Sequence, residues 1–566
     1  MALFIKVAFF FFFLQFIVCE TFNEQYLGLQ YYIKNYGGDD LIEGLDHNIY
    51  GVLVNESLSG EGVVTKFVGY GIYHHNETDG NMLFQHSYNY LPGENSSDPY
   101  ANFREGYSCI DLVGNVASAK NGECILGIAY NSKFVVRKVR RIGTIANEGL
   151  IAEAIWDNST FDRSNTSISI LSLKPENSDQ AIYYIKPFKL IQEAISNATQ
   201  FGRNGRGTIF VSYSGIQFYA NQLPIAKIRQ VIVVAPISCE GTSQLRPSID
   251  LKNILVAGVV GTNNKQIPSP GVDVNNEQAC TATYNQERAS SDIAGIVALV
   301  FEANPNLNWL DVQYLLVKSA RYDKLKKYPF TYNGKNLKWS SYYGFGVPDA
   351  QIFVDTAKNW NSFPKEEKSV SLEKSFDQKQ IHYSNTTEVC FNVTNSLLTV
   401  FQAQIEISLT QAAISLIQII LQSPYKQDIS LTSYNLENSH SFDNYPFTTR
   451  FFFGERSDGL WKVKIINNHE TFTPLLSNLK LSLFGISVLD DPDPAPLPPD
   501  PTPTPSSSPS PSPSPSPSTA PSTAPTVSPA PFISNETIVI RFSSTNVIHQ
   551  NAIYLFSFFI LISIFL

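Results

Sequence analysis

The chain predicts an α/β domain with a mostly parallel sheet, followed by an all-β, jelly-roll-like domain. Two patterns carry that reading. In the first half, short β-branched runs alternate with segments of helical period. In the second, strands of alternating polarity follow one another with no helical pattern between them.

The strand candidates of the first half are residues 62–68, 134–139, 208–212, 231–235 and 254–258. Each is apolar and bounded by polar loops, as strands buried on both faces are. Residues 190–200 and 293–302 carry apolar side chains at helical spacing. Asn308 reads as an N-cap, with Asp311 at the third helical position completing a capping box for a helix through Val312, Leu315 and Leu316 toward Ala320. In the second half, residues 416–421 and 461–465 are the clearest strands, and they suggest a β-sandwich or jelly roll.

The two ends read as addresses. Residues 1–19 combine Lys6, a Phe-rich apolar run and a return to polar chain at Cys19-Glu20, the pattern of a secretory signal peptide. Residues 490–531 are dominated by Pro, Ser and Thr and form a semi-rigid stalk suited to O-glycosylation. Residues 543–566 then place small residues, Ser543 and Ser544, before a short spacer and a terminal apolar run. That order is a GPI-attachment signal; the competing reading is a C-terminal membrane tail. Either one holds the protein at a membrane, facing the lumen or the outside, which places it in the secretory pathway, at the cell surface or in a Golgi membrane.

Sequons at Asn55, Asn76, Asn95, Asn158, Asn165, Asn197, Asn385, Asn392 and Asn535 fit a glycosylated ectodomain, and each predicts a surface position. Six cysteines are present, and Cys19 leaves with the signal. Cys109, Cys124, Cys239, Cys280 and Cys390 remain, so an odd count leaves at least one unpaired thiol. No CxxC spacing or other ligand cluster marks a metal site. The net charge of −9, without basic stripes, argues against nucleic-acid binding.

Several passages together give the chain a family resemblance. They are Leu58-Ser59-Gly60-Glu61-Gly62-Val63-Val64, Gly127-Ile128-Ala129-Tyr130-Asn131-Ser132-Lys133, the stretch 302–314, and Tyr343-Gly344-Phe345-Gly346-Val347-Pro348-Asp349-Ala350. In the second half they are Tyr445-Pro446-Phe447, Phe453-Gly454-Glu455 and Asp458-Gly459-Leu460-Trp461. The chain resembles the kexin and furin (proprotein convertase) branch of the subtilisin-like serine proteases. Residues 22–360 would be the peptidase-homology domain and 368–487 the P domain, also called P/Homo B.

The resemblance implies where catalytic groups belong, and other residues stand there. Gly69 takes the place of the triad aspartate, Ser108 of the histidine and Ser214 of the oxyanion-hole asparagine; the nucleophile position falls on Glu287 or Arg288. Glycine orients no imidazole, and a serine hydroxyl is no useful base near neutral pH. Loss of one oxyanion donor raises the barrier by about 3 kcal/mol. His74, His75 and His86 are followed by no histidine until His382; His74 and His75 read as a solvated loop, and Ser290 and Ser291 as small residues packing a helix start.

The family's acidic pocket for basic side chains would lie at Glu176, Asn177, Ser178 and Asp179, where its paired aspartates fall on Asn177 and Ser178. By the same resemblance Cys124 and Cys280 are disulfide partners, Cys109 is free, and structural calcium is allowed although no complete ligand set is visible. The likeness begins within about thirty residues of the start, and the resemblance therefore implies a chain without the family's folding propeptide.

Three functions compete at this point: a catalytically inactive, membrane-anchored homologue that binds proteins or peptides, an active processing endopeptidase, and a surface coat or adhesion protein.

Overall fold

The computed structural model describes residues 29–37, 41–101, 109–121, 123–141, 147–173, 188–215, 224–245, 251–273, 275, 277–410, 417–432, 441–468, 470–496 and 498. Seven parallel strands form the central sheet: β1 (Val64–Tyr70), β2 (Tyr88–Asn89), β3 (Lys133–Arg140), β4 (Thr166–Leu171), β5 (Ile209–Tyr213), β6 (Val231–Ser238) and β7 (Val256–Val260). Their order is β2-β3-β1-β4-β5-β6-β7. Every residue of β1, β5, β6 and β7 is buried, which is why these strands read as mainly apolar runs. β4 escapes that rule because Ser167 and Ser169 interrupt its apolar residues, and the sequence pattern missed it.

Among the described residues six helices run to eight residues or more: α1 (Ile110–Ala117), α2 (Glu148–Ile155), α3 (Lys189–Gly205), α4 (Arg288–Ala303), α5 (Trp309–Ser319) and α6 (Ala350–Lys358). α4 is buried continuously from Arg288 to Phe301. Its start presses on β7 at Gly258, where a Cβ would lie 2.6 Å from the Ala289 backbone. Only glycine lets the helix end approach that closely. A hairpin of β8 (Ile267–Val272) and β9 (Gln278–Thr283) precedes α4, and a Cys124–Cys280 disulfide ties it to the loop after α1. Cys109, Cys239 and Cys390 are free thiols.

The capping box of α5 is present, and it does a second job. Asp311 accepts the Asn308 N–H at 2.7 Å, the Trp360 indole N–H at 3.0 Å and the Phe363 N–H at 2.8 Å, and Ser362 also bonds to it. One carboxylate therefore caps a helix and fastens the segment leading into the second domain.

That domain is an antiparallel sandwich of two four-stranded sheets. Its strands are β10 (Lys368–Gln380), β11 (Thr386–Val393), β12 (Leu398–Thr410), β13 (Ile417–Gln422), β14 (Asp428–Ser430), β15 (Ser441–Thr449), β16 (Gly459–Asn467) and β17 (Leu475–Ser487). The sheets run β10-β17-β12-β15 and β11-β16-β13-β14. Inward positions alternate along β16, and Trp461, Val463 and Ile465 are fully buried. Aromatic rings fill the join to the first domain, with Tyr314 of α5 against Phe401 at 6.0 Å and Phe401 stacked on Phe453 at 4.5 Å. Glu455 enters the same join and accepts the Gly334 N–H at 2.6 Å.

Of the sequons, Asn55, Asn76, Asn95, Asn158, Asn165, Asn385 and Asn392 are exposed, whereas Asn197 on α3 is half-buried. The signal peptide, Asn535, the stalk beyond Asp500, Ser543 and Ser544 lie outside the described residues. Among the described residues no helix is long and apolar enough to cross a membrane.

Candidate functional site

The carboxyl ends of parallel strands are where α/β sheets collect functional groups, because loops from several strands converge there. β1 ends at Gly69-Tyr70, and Ser172 follows directly on its neighbour β4. The Ser172 N–H donates to the Val68 carbonyl at 2.9 Å, which lays Ser172 alongside Gly69. A Cβ on Gly69 would sit 2.8 Å from the Ser172 carbonyl oxygen, 2.9 Å from its Cβ and 3.4 Å from the Cys109 Sγ. There is no room for a side chain at 69.

Two helix starts complete the cluster. Cys109 precedes α1, and its N–H donates to the Gly71 carbonyl at 3.0 Å. Glu287 precedes α4, and its Oε2 accepts the Ser172 hydroxyl at 2.5 Å. The Glu287 backbone is itself set by Asn285, whose Oδ1 accepts its N–H at 3.0 Å while the Asn285 amide donates to Asp111 at 2.5 Å. Cys109, Ser172 and Glu287 are 1%, 4% and 4% exposed, so the cluster is a packed interior and not an open cleft.

Electrostatics there oppose nucleophilic chemistry. Burial, then the Glu287 and Asp111 carboxylates, push the Cys109 thiol up to about 12, against weaker hydrogen bonds that favour the thiolate. The thiol stays protonated at neutral pH and is a poor nucleophile. The partner of the Ser172 hydroxyl here is the Glu287 carboxylate, where an activated serine would have an imidazole base.

Arg288 points elsewhere. Its guanidinium donates to the Pro268 carbonyl at 3.2 Å, the Thr283 hydroxyl at 3.4 Å and the Asn115 side chain at 3.2 Å, bracing the β8–β9 hairpin. Of the two candidates at this point, it is Glu287 that meets the Gly69 neighbourhood. Ser214 lies at the same sheet edge, at the end of β5, but its Oγ is turned onto the Gly215 carbonyl at 3.3 Å. No described contact joins it to Glu287. Ser108, Glu176, Asn177, Ser178 and Asp179 lie outside the described residues. Ser290 and Ser291 pack the first turn of α4, their hydroxyls donating to the Glu287 and Arg288 carbonyls.

The histidines need one correction. His74 is exposed, but His75 is buried: its Nδ1 caps a short helix by accepting the Glu77 N–H at 3.2 Å, and its Nε2 lies 3.2 Å from the Ala279 carbonyl. The expectation of a solvated loop fails there because the β8–β9 hairpin covers it.

Two participants carried no signal in the sequence. Ser172 is a lone serine after an unrecognised strand. His47 lies in the N-terminal segment, fully buried, with Nδ1 2.9 Å from the Pro348 carbonyl and Nε2 3.5 Å from Asp292 of α4. Burial raises the pKa of Asp292, against the His47 partner. The Val259 N–H reaches His47 Nε2 at 3.3 Å, so this pair braces the sheet against α4, one turn beyond Glu287. Among the described residues no three His, Cys, Asp or Glu side chains gather into one cluster.

Comparison with known proteins agrees with this architecture. The Subtilase family profile matches residues 110–346, and that of the proprotein convertase P-domain matches 400–483. Furin-like protease 2 of Drosophila melanogaster is 28% identical over 472 residues, covering 79% of this chain and 27% of the relative. Neuroendocrine convertase 2 of the same organism is 25% identical over 467 residues, covering 79% of this chain and 69% of the relative. Furin of Homo sapiens is 27% identical over 462 residues, with 76% and 54% covered. The chain thus spans between 27% and 69% of the length of these three. The serine protease of Aeromonas sobria has the same fold, with a TM-score of 0.68 at 17% identity over 81% of this chain and 95% of that one. With a subtilase domain and a convertase P-domain in tandem, the chain belongs to the kexin- and furin-like, proprotein convertase branch of the subtilisin-like serine proteases.

Proposed function

We propose that this family member is catalytically inactive and works by binding proteins or peptides, held at a membrane of the secretory pathway or cell surface on a glycosylated stalk. The observation that carries the reading is Glu287. Its carboxylate is buried and bonded to Ser172 where the resemblance puts a nucleophilic serine, and Gly69 beside it has no space for the carboxylate of a triad. Loss of nucleophile or base costs such enzymes roughly a millionfold, and with Ser214 at the oxyanion position the residual route is weakened too.

A second reading, a processing endopeptidase, is favoured by the furin-like and convertase relatives spanning most of the chain. Incubation of the purified full chain with dibasic peptides separates the two. We expect cleavage no faster than that of a Glu287→Ala variant; turnover well above that control establishes the enzyme. Surface expression lost on treatment with a phosphatidylinositol-specific phospholipase tests the anchor.

A further inference from the structure

On the surface of the first domain, residues 321–342 hold Arg321, Lys324, Lys326, Lys327, Lys335 and Lys338 against a single carboxylate, Asp323, in a chain where acids outnumber bases 50 to 41. Aromatic rings lie among these cations. The Lys338 ammonium is 4.3 Å from the Tyr322 ring centre and 5.3 Å from that of Tyr332, and Lys327 is 5.2 Å from Tyr328. Tyr328 stacks on Tyr342 at 3.8 Å, and Tyr322 leans on Phe330 at 5.6 Å. Tyr322 and Tyr332 are 40% and 52% exposed.

Only part of that charge is consumed internally. Arg321 is paired with Asp46 and Asp349, and Lys335 with Asp493. Glu240, whose neighbour Gly241 accepts the Lys326 N–H, is already paired with Lys265. Among the described residues Lys324, Lys326 and Lys327 are exposed, with no carboxylate at ion-pair distance. Lys327 also holds a φ of 83°, a backbone conformation that a lysine seldom adopts.

We propose that this face binds an anionic polysaccharide bearing sulfate or carboxylate groups. Exposed tyrosine rings stack on the apolar faces of sugar rings, and the lysines between them meet the anionic substituents. Two other occupants fit worse. A bilayer needs aliphatic, Phe or Trp tips to insert, and the large apolar residues exposed in this segment are tyrosines alone. An acidic peptide adding as a strand needs a longer template than the two-residue ribbon of Thr331–Tyr332 and Lys338–Trp339. The inference stands independently of whether the chain cleaves peptides.

The test titrates the full chain with a heparin oligosaccharide, with polyglutamate and with phosphatidylserine vesicles, and follows heparin binding in two variants. One carries Lys324→Glu, Lys326→Glu and Lys327→Glu, the other Tyr322→Ala and Tyr332→Ala. The expected result is saturable, salt-sensitive heparin binding that each variant weakens roughly tenfold or more, with unchanged melting temperatures. The proposal is overturned if heparin does not bind or if neither variant weakens it. It also fails if only the lysine variant does, since that is unspecific ion pairing, or if polyglutamate or vesicles bind as tightly.

Discussion

Ser172 and Glu287, 115 residues apart in the chain, are joined by a 2.5 Å hydrogen bond in a region both share with Cys109 and with the bare backbone of Gly69. A serine hydroxyl donating to a buried carboxylate is a structural contact.

The first prediction follows from that contact. Glu287→Ser returns a hydroxyl to the head of α4 but supplies no base, and burial keeps Cys109 protonated. The variant is expected to remain unlabelled by a fluorophosphonate probe, as read by gel fluorescence or intact mass. A stoichiometric adduct on residue 287 would mean that an activating group had gone unrecognised.

Gly69 offers a steric test. Gly69→Ala forces a methyl into contact with the Ser172 backbone and is expected to destabilise by about 1–3 kcal/mol, as overpacked cores do. Gly69→Asp adds an unpaired buried charge close to Glu287, and should cost about 3–5 kcal/mol or abolish secretion. Melting temperatures compared with wild type decide the matter. An aspartate tolerated without loss would show that the space opens readily.

Glu455 provides a pH test. Burial raises its carboxyl from 4.5 to about 7, with the Gly334 N–H pulling the other way. The folded-state pKa lies above the unfolded one, so this group's stabilising share is complete below about pH 4.5 and is lost as the pH rises through about 7. The difference is on the order of 3 kcal/mol. Glu455→Gln should therefore flatten the decline in melting temperature between pH 5 and 7. Parallel profiles for both proteins would place the ionisation elsewhere.

Asp311→Ala removes a helix cap and three bonds to residues 360–363 together. A loss of about 2–4 kcal/mol is expected, with new proteolytic sensitivity at the join between domains. Unfolding by denaturant measures the first, and limited proteolysis the second.

The disulfide closes 156 residues of chain. Replacing Cys124 and Cys280 together by alanine is expected to cost about 2–5 kcal/mol. Equal denaturation midpoints with and without the bridge would contradict that.

Much of the architecture was legible because double-sided burial leaves a direct trace. Residues 231–235 are apolar without a break, and 209–211 likewise, since no face of β5 or β6 meets water. Asp311 was legible because caps obey a fixed local spacing. β4 was not, since Ser167 and Ser169 break its apolar pattern although Ser169 is fully buried. At the site, the motif frame pointed to Gly69 and to Glu287 or Arg288. What links Gly69 to Glu287 is Ser172, and a single serine after a strand carries no pattern. His47 hid for the same reason, its partners Asp292 and Pro348 being 245 and 301 positions away.

The closeness of Gly69 to Ser172 also makes the present state hard to leave. An aspartate appearing first at 69 meets a wall of backbone, and a serine appearing first at 287 leaves the Ser172 hydroxyl without its acceptor. Each of these substitutions, made alone, runs uphill in folding. The fold acts as a ratchet, holding the chain in whatever trade it now follows.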